Sequence, residues 1–135
     1  MKDRQVHPTI LKQIDDAKVF ICKRLKVSYD YIHIRTRDDQ AVLARYFVYK
    51  YTRKHTRLSL AVIASNTFNQ NHATIINGLR KLGEVIDTDK EVRDHDAYFE
   101  IEMKYIFSDG AHVNLNDSYS LIGYQTRARL YHSIK

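Results

Sequence analysis

The sequence predicts an all-α protein, a helical bundle containing a helix-turn-helix, and three observations carry that reading. Only 4 Gly and 1 Pro occur in 135 residues, too few breakers for a β-sandwich that turns every ten residues or so. Hydrophobic residues make up 44% of the chain, enough to bury a core. They recur at three- and four-residue spacing in several long segments, each preceded by a residue able to cap a helix.

Pro8 opens the first helix, about 8 to 26, where its missing N–H costs nothing, and Leu11, Ile14, Ala17, Ile21 and Leu25 mark its inner face. Ser28 caps a short turn through Tyr31, and the basic stretch His33-Ile34-Arg35-Thr36-Arg37 follows. Asp38 or Asp39 starts a second long helix, with Leu43, Ala44, Phe47, Val48 and Tyr51 inward and Arg45, Tyr49 and Arg53 opposite. After a polar loop, Ser59 caps a brief helix whose Leu60, Ile63 and Ala64 point inward. Thr67-Phe68-Asn69-Gln70 breaks the pattern without Gly or Pro, and Asn69 is the residue best able to take a positive φ.

Asn71 caps the next helix, with Ile75, Leu79, Leu82 and Ile86 as its buried stripe. Ala73, Asn77 and Arg80 lie on the far side, flanked by Thr74 and Lys81. Thr88 or Asp89 caps a long acidic helix, to which Val92, Phe99, Ile101, Met103, Tyr105 and Ile106 contribute apolar contacts. Ser108-Asp109-Gly110 ends it. Beyond, alternation over Ala111–Leu115 predicts a short extended piece, and Asp117 or Ser118 caps a tail helix through Tyr131, weakened by Gly123. The expected organisation is a helix-turn-helix domain over 1–107 and an extension over 108–135.

Charge is segregated. The net charge is +6, yet residues 84–109 hold nine acidic and three basic side chains, so the remainder carries +12. The densest basic part is 35–57, with Arg35, Arg37, Arg45, Lys50, Arg53, Lys54 and Arg57 against Asp38 and Asp39. A basic block joined to an acidic one is what an oriented polyanion binder shows; solvated helix faces are the plainer reading. A single cysteine, Cys22, cannot form an internal disulfide, and no apolar run approaches a membrane span. A cytoplasmic, nucleoid-associated protein is therefore expected. Scattered histidines without paired cysteines give no metal site, and no catalytic motif or cofactor cradle is present.

A short helix, a turn and a second helix with a polar outer face suit the major groove of duplex DNA, which is wide enough for one helix. The residues narrow this further. Leu60-Ala61-Val62-Ile63-Ala64, then Gln70-Asn71-His72-Ala73-Thr74-Ile75, then Arg80-Lys81-Leu82, resembles the C-terminal DNA-binding domain (domain IV) of the bacterial replication initiator DnaA. Members of that family show a Leu-x-x-Ile-Gly start, an Arg-Asp-His-Ser/Thr-Thr-Val motif and a following Arg-Lys pair. More loosely, Arg24-Leu25-Lys26-Val27 with Asp30 and the Arg35/Arg37 pair is similar to the family's first helix and basic segment, and Ala44-Arg45 to its second helix.

The resemblance implies a Trp-repressor-like helix-turn-helix and assigns roles. Asn71, His72, Ala73 and Thr74 would face bases in the major groove, Arg35 or Arg37 would enter the adjacent minor groove, and Arg45 and Lys81 would hold phosphates. The chemistry agrees: His72 can donate to a base acceptor, Thr74 offers a hydroxyl and a methyl, and Asn77 can pair bidentately with adenine. Arg53, Lys54, Arg57, Ser59 and Arg80 complete the candidate phosphate contacts. Several positions around the turn depart from the family. Its Gly-Gly turn is Phe68-Asn69, its motif Arg is Gln70, its Asp is Asn71 and one hydroxyl residue is Ala73, which changes the base edges that can be satisfied.

The chain has no Gly-x-x-x-x-Gly-Lys-Ser/Thr loop and so no nucleotide-driven activity of its own is expected. The expected function is sequence-specific duplex binding by a non-enzymatic regulator of replication or transcription, of phage or mobile-element origin and so working in the host cytoplasm. The alternative is an interaction module that binds a replication protein through the acidic helix or the tail. Apolar tail residues, among them Leu121, Ile122 and Leu130, make a homodimer through that tail a further expectation.

Overall fold

A computed structural model describes residues 6–108. The expectations placed on the tail, including the extended piece, the last helix and the homodimer contact, lie outside the described residues. Within them the chain forms five α-helices, α1 (Pro8–Leu25), α2 (Asp39–His55), α3 (Leu60–Thr67), α4 (His72–Thr88) and α5 (Lys90–Ile106), with one 3-10 turn at Tyr31–His33. Among the described residues there is no strand, and no helix is long and apolar enough to cross a membrane.

Local chemistry sets each boundary. Asp38 rather than Asp39 caps α2, accepting from the N–H groups of Gln40 at 3.0 Å and Ala41 at 3.2 Å. Ser59 caps α3 and Asn71 caps α4 through the N–H groups of Val62 and Thr74. Asp89 rather than Thr88 caps α5, accepting from Glu91 N at 2.9 Å and Val92 N at 3.2 Å. Its own N–H donates to the Val85 carbonyl at 2.8 Å, so this one residue closes α4 while opening α5. Two features lacked a sequence signal: His7 caps α1 through Nδ1, and Lys26 stops α1 in the left-handed region at φ 60°.

Two apolar clusters hold the helices together. The larger lies between α1, α2, α4 and α5, where Ile14, Phe20, Ile21, Phe47, Tyr51, Leu82, Phe99 and Met103 are buried. Phe47 and Phe99 meet edge to face with centroids 4.9 Å apart. The smaller cluster, Tyr49, Ile63, Ala64 and Ile75, fixes α3 and α4 to α2. Tyr46 packs against both clusters and lies over Gly78 so closely that a Cβ there would stand 2.7 Å from its ring.

Three packing expectations are corrected. Tyr49, expected opposite the apolar face of α2, is fully buried because α3 folds over that side, and burial pushes its hydroxyl pKa up to about 12. Leu11 is 40% exposed, since nothing covers the first turn of α1. Ile101 is 56% exposed because Phe99, Met103 and Ile106 already occupy the inner face of α5. Cys22 is buried and its thiol pKa is pushed up to about 11 by desolvation, leaving an inert sulfur.

Candidate nucleic-acid interface

The turn between α3 and α4 closes without glycine. Asn69 takes φ 55°, and the N–H of Gln70 returns to the Ala64 carbonyl at 3.0 Å. Phe68, standing where a glycine would leave a gap, wedges between Tyr49 and His33, with ring centroids 5.7 and 5.3 Å away. Beneath it Lys18 crosses from α1. Its Nζ lies 4.7 Å from the Phe68 ring centre and donates to the Thr67 carbonyl at 2.8 Å. Burial lowers the pKa of this ammonium.

The same Nζ lies 3.0 Å from His33 Nε2, while His33 Nδ1 is 2.8 Å from the Tyr29 carbonyl. A carbonyl can only accept, so Nδ1 carries the proton and Nε2 accepts from Lys18. Sequence reasoning left Lys18 and His33 without a role; a lysine among the apolar positions of α1 was the available signal.

On α4 a helical period of 3.6 sends residues 72, 73, 76, 77 and 80 to one side and Ile75 and Leu82 to the other. His72, Ala73, Ile76, Asn77 and Arg80 are indeed exposed, and so is Lys81. Two of the expected base contacts are tied to each other: Asn71 Oδ1 accepts from both the N–H and the hydroxyl of Thr74, at 3.0 and 3.2 Å. The Asn71 amide NH2 and the Thr74 oxygen lone pairs remain to face a groove. Ile76, which the sequence reading placed neither in the buried stripe nor on the far side, is 48% exposed in the middle of this face.

The basic segment is built around one side chain. Arg45 Nε donates to the Ile32 carbonyl at 2.8 Å, and its terminal nitrogens donate to Ile34 at 2.7 Å and Thr36 at 3.3 Å. Five guanidinium donors in a rigid fork suit these three carbonyls, which belong to alternate residues running out of the 3-10 turn. Arg45 thus spends its donors holding the segment that carries Arg35 and Arg37. Both of those are exposed, and with Arg45, Phe68 and Gln70 they line a cleft of about 350 Å³ between the segment and the α3–α4 turn.

The other candidate phosphate contacts divide. Arg53, Arg57 and Lys81 are exposed. Lys54 pairs with Glu100 of α5, and Arg80 with Glu84 one turn on at 2.9 Å. Lys50 meets Asp96 at 2.6 Å, where Asp96 also accepts from the Tyr51 hydroxyl. The acidic helix therefore neutralises part of the basic block of α2. Ser59 has its oxygen in the α3 cap. Among the described residues no cluster of three or more His, Cys, Asp or Glu side chains could hold a metal ion.

A short helix and a glycine-free turn feeding a longer helix with an exposed polar face, beside a pinned basic segment, define a DNA-binding protein of the helix-turn-helix class. The profile of the bacterial dnaA protein helix-turn-helix matches residues 14–82, just over half of the chain. The chain belongs to that family, and DNA binding is the function that membership indicates. The match takes in α1 from Ile14, the basic segment, α2, α3 and α4 as far as Leu82, and leaves α5 beyond it. Comparison with curated proteins and with solved structures gave no match.

Proposed function

We propose that the protein binds duplex DNA in a sequence-dependent way, with α4 in the major groove and Arg35 or Arg37 in the adjacent minor groove. One observation carries the reading: Arg35 and Arg37 line the same cleft as Gln70, the residue leading into α4, so a groove-reading helix and two free guanidinium groups are neighbours. His72 and Asn77 supply donors to base edges, while Arg53, Arg57 and Lys81 supply phosphate contacts. The role we propose is regulation of replication or transcription. A phage or mobile-element setting rests on the diverged residues at 68–73.

Titration of labelled duplexes at two salt concentrations tests this. Each phosphate neutralised contributes about 0.9 to the slope of log K against log salt, so several contacts give a steep decline. Absent or salt-independent binding would remove the reading. Ile101, exposed on acidic α5, favours as a second reading the docking of a replication protein on that helix. Under it, pull-down of a specific partner would survive substitution of Arg35 or His72 while duplex binding was undetectable.

A further inference from the structure

Lys50, Arg53 and Lys54 follow one another at helical spacing, so the last turns of α2 present them on one side. With Leu79 and Gly83 of α4 they line a cleft of about 400 Å³. Gly83 comes seven residues after Ile76, about two helical turns, which puts the mouth of this cleft at the far end of the outward face of α4. The three cations are therefore neighbours of the helix proposed to enter the groove.

They differ in what already holds them. No carboxylate among the described residues pairs with Arg53, whereas Glu100 takes Lys54 and Asp96 meets Lys50 at 2.6 Å, with Glu100 3.8 Å from the same Lys50 nitrogen. Asp96 also accepts from the hydroxyl of Tyr51, a fully buried side chain that fixes the carboxylate from the core side. A carboxylate and a phosphodiester offer a lysine the same thing, anionic oxygens that accept charge-assisted hydrogen bonds. We infer that Asp96 and Glu100 stand in for DNA phosphates at Lys50 and Lys54, so that α5 is an electrostatic brake withholding two cations from the duplex. Phosphate contacts carry no base information, so the brake lowers affinity for every sequence alike. The inference rests on the duplex reading above. It gives α5, outside the stretch that matches the family, a part in how tightly this chain binds.

Glu100→Gln keeps the shape of the side chain, removes its charge and frees Lys54. Affinity for a preferred and a scrambled duplex rises by the same factor, and the slope of log K against log salt steepens by about 0.9, one added phosphate contact. The gain over the unsubstituted protein then shrinks about 3.5-fold between roughly 50 and 200 mM salt. Lys54→Met cancels the gain in the Glu100→Gln protein and costs little where Glu100 is present. Asp94→Asn is the control, because it takes the same charge from α5 at a carboxylate paired with Lys90 of that helix and leaves the slope unchanged. Glu100→Ala repeats the Gln result, and melting curves show that each variant folds.

An unchanged slope in both Glu100 variants, beside duplex binding that is otherwise intact, overturns the inference and leaves the duplex reading standing. So does a Lys54→Met substitution that weakens binding as much with Glu100 as without it, since that lysine was then never withheld. Absent or salt-independent binding by every form, the unsubstituted protein included, overturns the duplex reading and this inference together.

Discussion

Lys18 Nζ donates to the main-chain carbonyl of Thr67 across 2.8 Å, joining the first helix of the bundle to the last residue of α3. The contact is buried, with Lys18 7% exposed, and the same nitrogen meets His33 next to the basic segment. One ammonium group therefore ties together the two segments proposed to touch DNA. Lys18→Met keeps the aliphatic stem but strands the Thr67 carbonyl and His33 Nε2. An unmade buried hydrogen bond of this kind costs about 1–3 kcal/mol. Urea denaturation should show a loss of that size, with duplex affinity falling alongside it.

Under the proposed duplex binding, Arg45 acts through the backbone it holds. Removing it should release residues 32–36 and disturb the minor-groove contact proposed for Arg35 or Arg37, so Arg45→Ala should cost little more in a protein already lacking both arginines. A double-mutant cycle on duplex affinity measures this, and full additivity would return Arg45 to direct phosphate contact. Arg45→Lys should not restore binding, because a single ammonium cannot span carbonyls that the guanidinium fork reaches together.

The residues proposed to face bases and those proposed to face phosphates should separate by their effect on specificity. His72→Ala or Asn77→Ala should cost about 1–3 kcal/mol on the preferred duplex and little on random DNA. Lys81→Ala should weaken both alike and lower the salt slope by about one. Parallel titrations of a selected and a scrambled duplex distinguish the two patterns.

Much of this was legible in the sequence. Asp38, Ser59, Asn71 and Asp89 announce helix starts because short polar side chains do locally what the missing turn of helix would do. Asn69 was readable for a similar reason, since few residues other than glycine tolerate its φ. Long-range pairing was not readable. Tyr49 is inward only because α3 covers it, Lys54 is neutralised only because α5 packs beside it, and the carbonyls that Arg45 donates to are brought to it by a segment of another element. Periodicity reports a side chain's direction on its own helix and nothing of what another helix brings to meet it.

Two glycines of α4 should respond in opposite ways to the same change. Gly78→Ala drives a Cβ to 2.7 Å from the Tyr46 ring and should destabilise the fold by about 1–3 kcal/mol, the usual cost of overpacking. Gly83→Ala meets nothing within 4 Å, so better helix propensity should stabilise it by about 0.5–1 kcal/mol. Chemical denaturation of the two variants checks both signs.

Acid should loosen the bundle before carboxylates titrate. Burial lowers the pKa of His55, between the Tyr51 and Phe107 rings, and of His95, whose Nδ1 accepts from Arg24 Nε at 3.0 Å. The unfolded chain, with histidines near 6.5, then takes up protons first as pH falls. The stabilisation is whole above that value and is lost as pH drops through the lower folded values. Melting temperature should fall between about pH 7 and 5, and His95→Gln should flatten part of that dependence.

A single residue, Asp89, separates α4 from α5, and its backbone and side chain are committed to both helices at once. No loop is left there to absorb a change of angle. Were α4 to lie along a groove, the bearing of α5 relative to the duplex would be set with it. Two such molecules on sites spaced by whole turns of the double helix would raise their acidic helices on the same side, and half a turn of extra spacing would set them back to back.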